Sequence, residues 1–146
     1  MYSTKLKPDN DRYIAKCIVN SSGPKVIDFV VDTGAKYTCC NYLSIDPKLV
    51  ESDYSNKDYK LLGGIIEGEV LRVYRYNVSQ FTIGSVDMSK QSIWITFDER
   101  ATDDVIGMDI LKQIHYYQDG DNNEIFFSHD KREFLPLIDS KFDNGL

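Results

Sequence analysis

Apolar positions along this chain fall in short runs separated by clusters of turn-forming residues, and several runs alternate with polar positions at a period of two. That is the pattern of strands with one face in a core rather than of long amphipathic helices. Residues 13–19 (YIAKCIV) and 25–31 (KVIDFVV) are β-prone and flank Asn20-Ser21-Ser22-Gly23-Pro24, which predicts a β-hairpin. A strand and bend follow over 37–45. At 46–50 a capping Asp46 before Pro47 predicts one or two helical turns. The stretch from Tyr59 to Val86 predicts a long hairpin with a glycine-rich tip at 63–68 and a second turn at Gly84-Ser85. Residues 91–97 (QSIWITF) form another strand, and Thr102-Asp103-Asp104 offer caps for a short helix over 106–114. Asp119-Gly120-Asp121-Asn122 between two aromatic-rich runs predicts a final hairpin. In the tail, 131–146, the apolar cluster 134–138 is interrupted by Pro136 and reads as an edge or interface segment, or as a frayed end. Many short strands with one short C-terminal helix predict an all-β, closed or partly closed barrel.

With 146 residues, 42% hydrophobic and 27% charged, the chain has material for one core, and a single domain over 1–146 is expected. No run approaches a membrane span and the N-terminus lacks the apolar segment of a signal peptide, so a soluble, unsecreted protein with no membrane partner is expected. Cys17, Cys39 and Cys40 are odd in number and resemble neither a disulfide framework nor a zinc site, which suits a reducing cytoplasm. There the sequons at Asn20 and Asn77 read as turn and strand residues. A net charge of −6 with scattered bases argues against a nucleic-acid partner. His115 and His129 have no clustered ligands, so no metal and no cofactor is implied. Trp94 and the tyrosines read as core and sheet residues. Cys39 and Cys40, adjacent on a strand, should face opposite ways with one inward.

Asp32 follows an apolar, β-branched run and precedes Thr33, Gly34 and Ala35. A carboxylate at a strand end needs partners if it is buried. The commonest role of an isolated Asp-Thr-Gly is to cap a turn. Three catalytic roles compete with it. A phosphatase forming an aspartyl-phosphate needs a second acid two residues on, where Gly34 stands, and a phosphate-cradling kinase lobe needs a far longer chain. The remaining role is one of two aspartates that share a proton and activate water. Gly63 and Gly68 have the spacing of a P-loop, but Glu69-Val70 follows where Lys and Ser or Thr are required.

Three segments resemble the single-domain, retropepsin-like aspartic proteases, in that family's order. Val30-Val31-Asp32-Thr33-Gly34-Ala35 is similar to the active-site loop, Lys60-Leu61-Leu62-Gly63-Gly64-Ile65 to the flap, and Val105-Ile106-Gly107-Met108-Asp109-Ile110-Leu111 to the segment that braces the loop. The resemblance covers about residues 13–128. It departs from the retroviral pattern at Lys36 and Met108, where retroviral enzymes carry an acid and an arginine that pair.

The resemblance implies an aspartic endopeptidase acting on a polypeptide as a homodimer, because the chain holds one Asp-Thr-Gly and the chemistry needs two carboxylates. Asp32, Thr33 and Gly34 would be catalytic, with Thr33 bonding across to the partner loop. Ala35, Leu62, Gly63, Gly64, Ile65 and Ile66 would bind substrate, with apolar residues at the cleaved bond. Ala35 lacks the hydroxyl common in pepsins, which implies activity at mildly acidic pH. The alternatives are a non-catalytic dimeric scaffold on the same fold and a latent protease that requires processing.

Overall fold

The computed structural model describes residues 1–8, 11–54 and 58–144, with side chains to residue 139. Its strands are β1 (Tyr2–Lys7), β2 (Arg12–Asn20), β3 (Pro24–Val31), β4 (Cys39–Asn41), β5 (Tyr59–Gly63), β6 (Val70–Val78), β7 (Gln80–Ile83), β8 (Val86–Asp87), β9 (Gln91–Thr96), β10 (Val105–Ile106), β11 (His115–Asp119) and β12 (Glu124–Ser128). They join in one sheet of order β11-β12-β1-β2-β3-β10-β4-β9-β6-β5, with β7 and β8 attached through β2. The path has two free ends, at β11 and β5, so of the two barrel forms expected the closed one does not occur. No helix among the described residues is long and apolar enough to cross a membrane.

The predicted hairpins form where turn clusters stood between β-prone runs. β2 and β3 pair from Ile14↔Val30 to Asn20↔Pro24, and the alternation buries Ala15, Cys17, Val19, Ile27 and Phe29 on one face. β5 and β6 pair from Tyr59↔Tyr74 to Gly63↔Val70, and β11 and β12 from His115↔Ser128 to Asp119↔Glu124. The core also takes Phe81, Ile83, Ile93, Ile95, Ile106, Leu111 and Phe127, all fully buried. A smaller cluster of Cys39, Val73 and Trp94, with Tyr37, Leu62 and Ile65 packed on it, lies beneath the β5–β6 hairpin.

One strand adds to those expected: β1 pairs with β12 through Tyr2↔Phe127 to Lys5↔Glu124 and with the start of β2. Three local expectations need correction. The helical turns expected at 46–50 lie on either side, in α1 (Tyr42–Ile45) and a 3-10 turn at Glu51–Tyr54. Asn41 caps α1 by accepting from the Leu43 amide, and Asp46 stands at the other end. Asp103 and Asp104 do not cap α2 (Met108–Leu111), which begins at Gly107 without a side-chain cap. Asp103 instead pairs with Arg12, and Asp104 is buried and accepts from the Asn41 amide and the Ser44 hydroxyl. The tail is neither strand nor frayed through residue 144: a 3-10 turn at Lys131–Phe134 runs into α3 (Leu135–Asn144), whose first turn tolerates Pro136. Residues 145–146 lie outside the described residues.

Candidate active site

Val31 ends β3, and the chain turns through Asp32, Thr33 and Gly34 before re-entering the sheet at β4. β10 holds this turn from behind, running parallel to β3 (Val105↔Val30, Ile106↔Val31) and antiparallel to β4 (Val105↔Cys39). The Asp32 amide donates to the Ile106 carbonyl at 3.0 Å, and the Met108 amide donates to the Ala35 carbonyl at 2.8 Å. Within the turn the Gly34 amide donates to Asp32 Oδ1 at 2.9 Å. Asp32, Thr33 and Gly34 are exposed in the single chain, and the Thr33 hydroxyl bonds to no other described residue. Asp32 is therefore not the buried strand-end acid that would need several partners within its own chain.

Behind the turn lies a knot built on Thr38, a residue that the sequence reading did not single out. Thr38 is fully buried. Its amide lies 3.0 Å from both carboxylate oxygens of Asp109, its hydroxyl donates to Asp109 Oδ1 at 2.7 Å, and that hydroxyl accepts from the Gly107 amide at 3.1 Å. This knot joins the Asp32 turn to the start of α2. The only signal in the sequence was the acid Asp109 within the third segment, and spacing alone does not pair it with Thr38. Gly107 is required by close approach: a Cβ there would stand 2.6 Å from the carbonyl carbon and oxygen of Tyr37.

Opposite the turn lies a cleft of about 800 Å³. Of the residues predicted for the site, Asp32, Gly34, Ala35, Leu62, Gly63, Gly64 and Ile65 line it together. Thr33 and Ile66 do not, although Ile66 is half-buried and its carbonyl accepts from the Glu69 amide in the hairpin turn. Gly64 and Gly68 adopt φ of +85° and +75° there, a left-handed backbone that explains both glycines. The hairpin is tied to the far wall by Arg100, which meets Glu69 at 2.8 Å and Asp98 at 2.7 Å.

Cys39 and Cys40 do face opposite ways, but both faces of β4 are buried, so both thiols are inward. Burial, with the nearby Asp104 charge, pushes the Cys39 thiol up to about 12, which keeps it protonated and unreactive at neutral pH. Among the described residues no group of three His, Cys, Asp or Glu is placed to hold a metal ion.

No family model and no curated protein matches the chain. A solved structure does: the crystal structure of a retropepsin-like aspartic protease from Rickettsia conorii is similar over 86% of this chain and 88% of that one, with a TM-score of 0.61 and 13% sequence identity. A likeness at that identity is one of backbone architecture, and in architecture this chain has the all-β fold of a retropepsin-like aspartic protease, with the sheet left open.

Proposed function

We propose that this protein is an aspartic endopeptidase that works as a homodimer. The observation that carries the reading is Asp32 held by backbone hydrogen bonds at an exposed turn, facing a cleft whose other side is a glycine-tipped hairpin. One such carboxylate cannot both deprotonate a water and polarise a peptide carbonyl, and the exposure of Asp32-Thr33-Gly34 leaves room for a second copy of the same turn. Two Asp32 carboxylates meeting on a two-fold axis would share one proton and titrate as a pair. One would take a proton from water, the other would hydrogen-bond the peptide carbonyl, and no covalent enzyme intermediate forms. The Thr33 hydroxyl, which bonds to no other described residue, would then bond the partner turn. The β5–β6 hairpin acts as a flap whose Leu62 and Ile65 close on apolar side chains of the polypeptide. Three buried, unpaired thiols favour a reducing, cytoplasmic setting.

The test is cleavage of an unbiased peptide library at several pH values by the wild type, by Asp32→Asn, and by wild type with a statine-type transition-state analogue. Activity lost in both the variant and the inhibited sample is the expected result. An active Asn variant overturns the mechanism. A chain that sediments as a monomer at every concentration, with and without the analogue, overturns the dimer.

A further inference from the structure

Of the arginines that line the cleft, Arg12 is matched by Asp103 at 2.6 Å and Arg100 by Glu69 and Asp98. Lys36 is not matched. Its ammonium sits 5.4 Å from the centre of the Tyr37 ring, and Lys60, reaching down from β5 on the same face as Leu62, sits 5.0 Å from that centre and 5.3 Å from the centre of the Trp94 ring. Neither ammonium has a carboxylate within ion-pair distance among the described residues. A third cation, Arg75, lies 4.9 Å from the Trp94 ring centre and is paired with Asp58 at 3.3 Å. Two ammoniums gathered around one aromatic ring repel each other, and the ring quadrupole offsets only part of that repulsion. In a chain of net charge −6 the concentration of unmatched positive charge around Tyr37, which lines the same cleft as Asp32, stands out.

The Tyr37 hydroxyl reports the same field. Burial alone would push the phenol up, but hydrogen bonding from Lys60 and the charges of Lys36 and Lys60 outweigh it and hold the phenol below its usual value. A negative charge is favoured at this place.

We propose that Lys36 and Tyr37 on the wall of the cleft, with Lys60 reaching Tyr37 from β5, form an anion-selecting subsite that takes the carboxylate of a Glu or Asp side chain of the polypeptide. The subsite rests on the peptidase reading above for its position beside a cleaved bond, and it adds an acidic requirement outside the apolar pair. Tyr37 would supply a flat floor and Trp94 the wall behind it, while the two lysines approach the carboxylate from the turn and from the flap. Closure of the flap over an acidic side chain would then bring Lys60 onto its anion, coupling recognition to closure.

The experiment compares paired peptides that differ only by Glu or Gln, with the substitution walked through the second to fourth positions on each side of an apolar pair. In the wild type one position should favour Glu by about five- to tenfold in kcat/KM, the scale of two partly exposed ion pairs. That ratio should fall below about twofold in the Lys36→Gln, Lys60→Gln double variant, invert in Lys36→Glu, and shrink in 1 M salt, where the screening length is about 3 Å. The same peptides, fluorescently labelled, are titrated onto Asp32→Asn, where binding is read without turnover. Equal kcat/KM for Glu and Gln at every position overturns the subsite and leaves the peptidase standing. If the wild type cleaves nothing, Glu-over-Gln binding that depends on the two lysines sustains the anion subsite while the peptidase reading falls. Equal binding of both peptides in that case overturns the subsite as well.

Discussion

Thr38→Val removes one hydroxyl from the knot behind the Asp32 turn and changes almost nothing else, because valine keeps the volume and the β-branch. Two hydrogen bonds are lost. The bond from the hydroxyl to Asp109, at 2.7 Å, is of the kind made to a carboxylate, worth about 1.5–3 kcal/mol. The Gly107 amide loses its 3.1 Å acceptor inside the protein, where an unsatisfied donor costs about 1–3 kcal/mol. The Thr38 amide still reaches Asp109, so the backbone contact survives. Allowing a little for the more apolar side chain, the variant should lose about 3–4 kcal/mol, a large part of the roughly 5–15 kcal/mol that holds a domain together. Urea unfolding followed by tryptophan fluorescence measures it, with Trp94 as the sole reporter. With a slope of about 2 kcal/mol/M the midpoint falls by about 1.5–2 M. Thr38→Ser is the control: it keeps the hydroxyl, gives up one methyl, and should lose no more than about 1.5 kcal/mol. A Val variant within 1 kcal/mol of wild type, or a Ser variant as weak as Val, would refute the reasoning.

Gly107→Ala should cost about 3 kcal/mol, since the new methyl meets Tyr37 and Ala35 backbone that cannot step aside, and a denaturant melt reads it directly. Asp130 should titrate at about 2 by carbon-detected NMR, because hydrogen bonds from the Arg132 side chain and amide stabilise its ionised form. Its folded value is below the unfolded one of about 3.9, so its contribution to stability is present above pH 4 and is lost as pH falls towards 2. Arg132→Gln should move that titration upward, and an unmoved titration would deny the pairing. Arg100→Gln should speed amide exchange around Glu69 by up to about fivefold, the scale of an exposed ion pair, with the gap closing in high salt.

The hairpins were legible because each had two local signals at once, a β-prone run and a cluster such as Ser21-Ser22-Gly23-Pro24 or Asp119-Gly120-Asp121-Asn122 beside it. The loop around Asp32 was legible as a motif, and the cleft brings it together with Leu62, Gly63, Gly64 and Ile65 from residues thirty positions away. What could not be read locally was whatever depends on distant partners. β1 carries Lys5 and Lys7 and little buried surface, so its strand character comes from pairing with β12 and β2. Thr38 and Asp109 are unremarkable in their own neighbourhoods and acquire a role only when β10 sets their segments side by side. Asp103 and Asp104 had the composition of helix caps, but Arg12 and the start of α1 offered these acids better partners.

The placement of β1 has a consequence for how the chain is made. Tyr2–Lys7 is made about 120 residues before its partner Glu124–Ser128, which it meets through contacts such as Ser3 to Glu124. At about 5–20 residues per second the first strand waits roughly 6–25 s for the last to arrive. During that interval the β2–β3 and β5–β6 hairpins can form as they emerge, but the β1–β12 seam cannot. Closure of that seam is the long-range, entropically costly event, and it should set the folding rate after release. A ribosome stalled before residue 124 would therefore hold a nascent chain with its β2–β3 and β5–β6 hairpins in place and Tyr2–Lys5 without their partner strand.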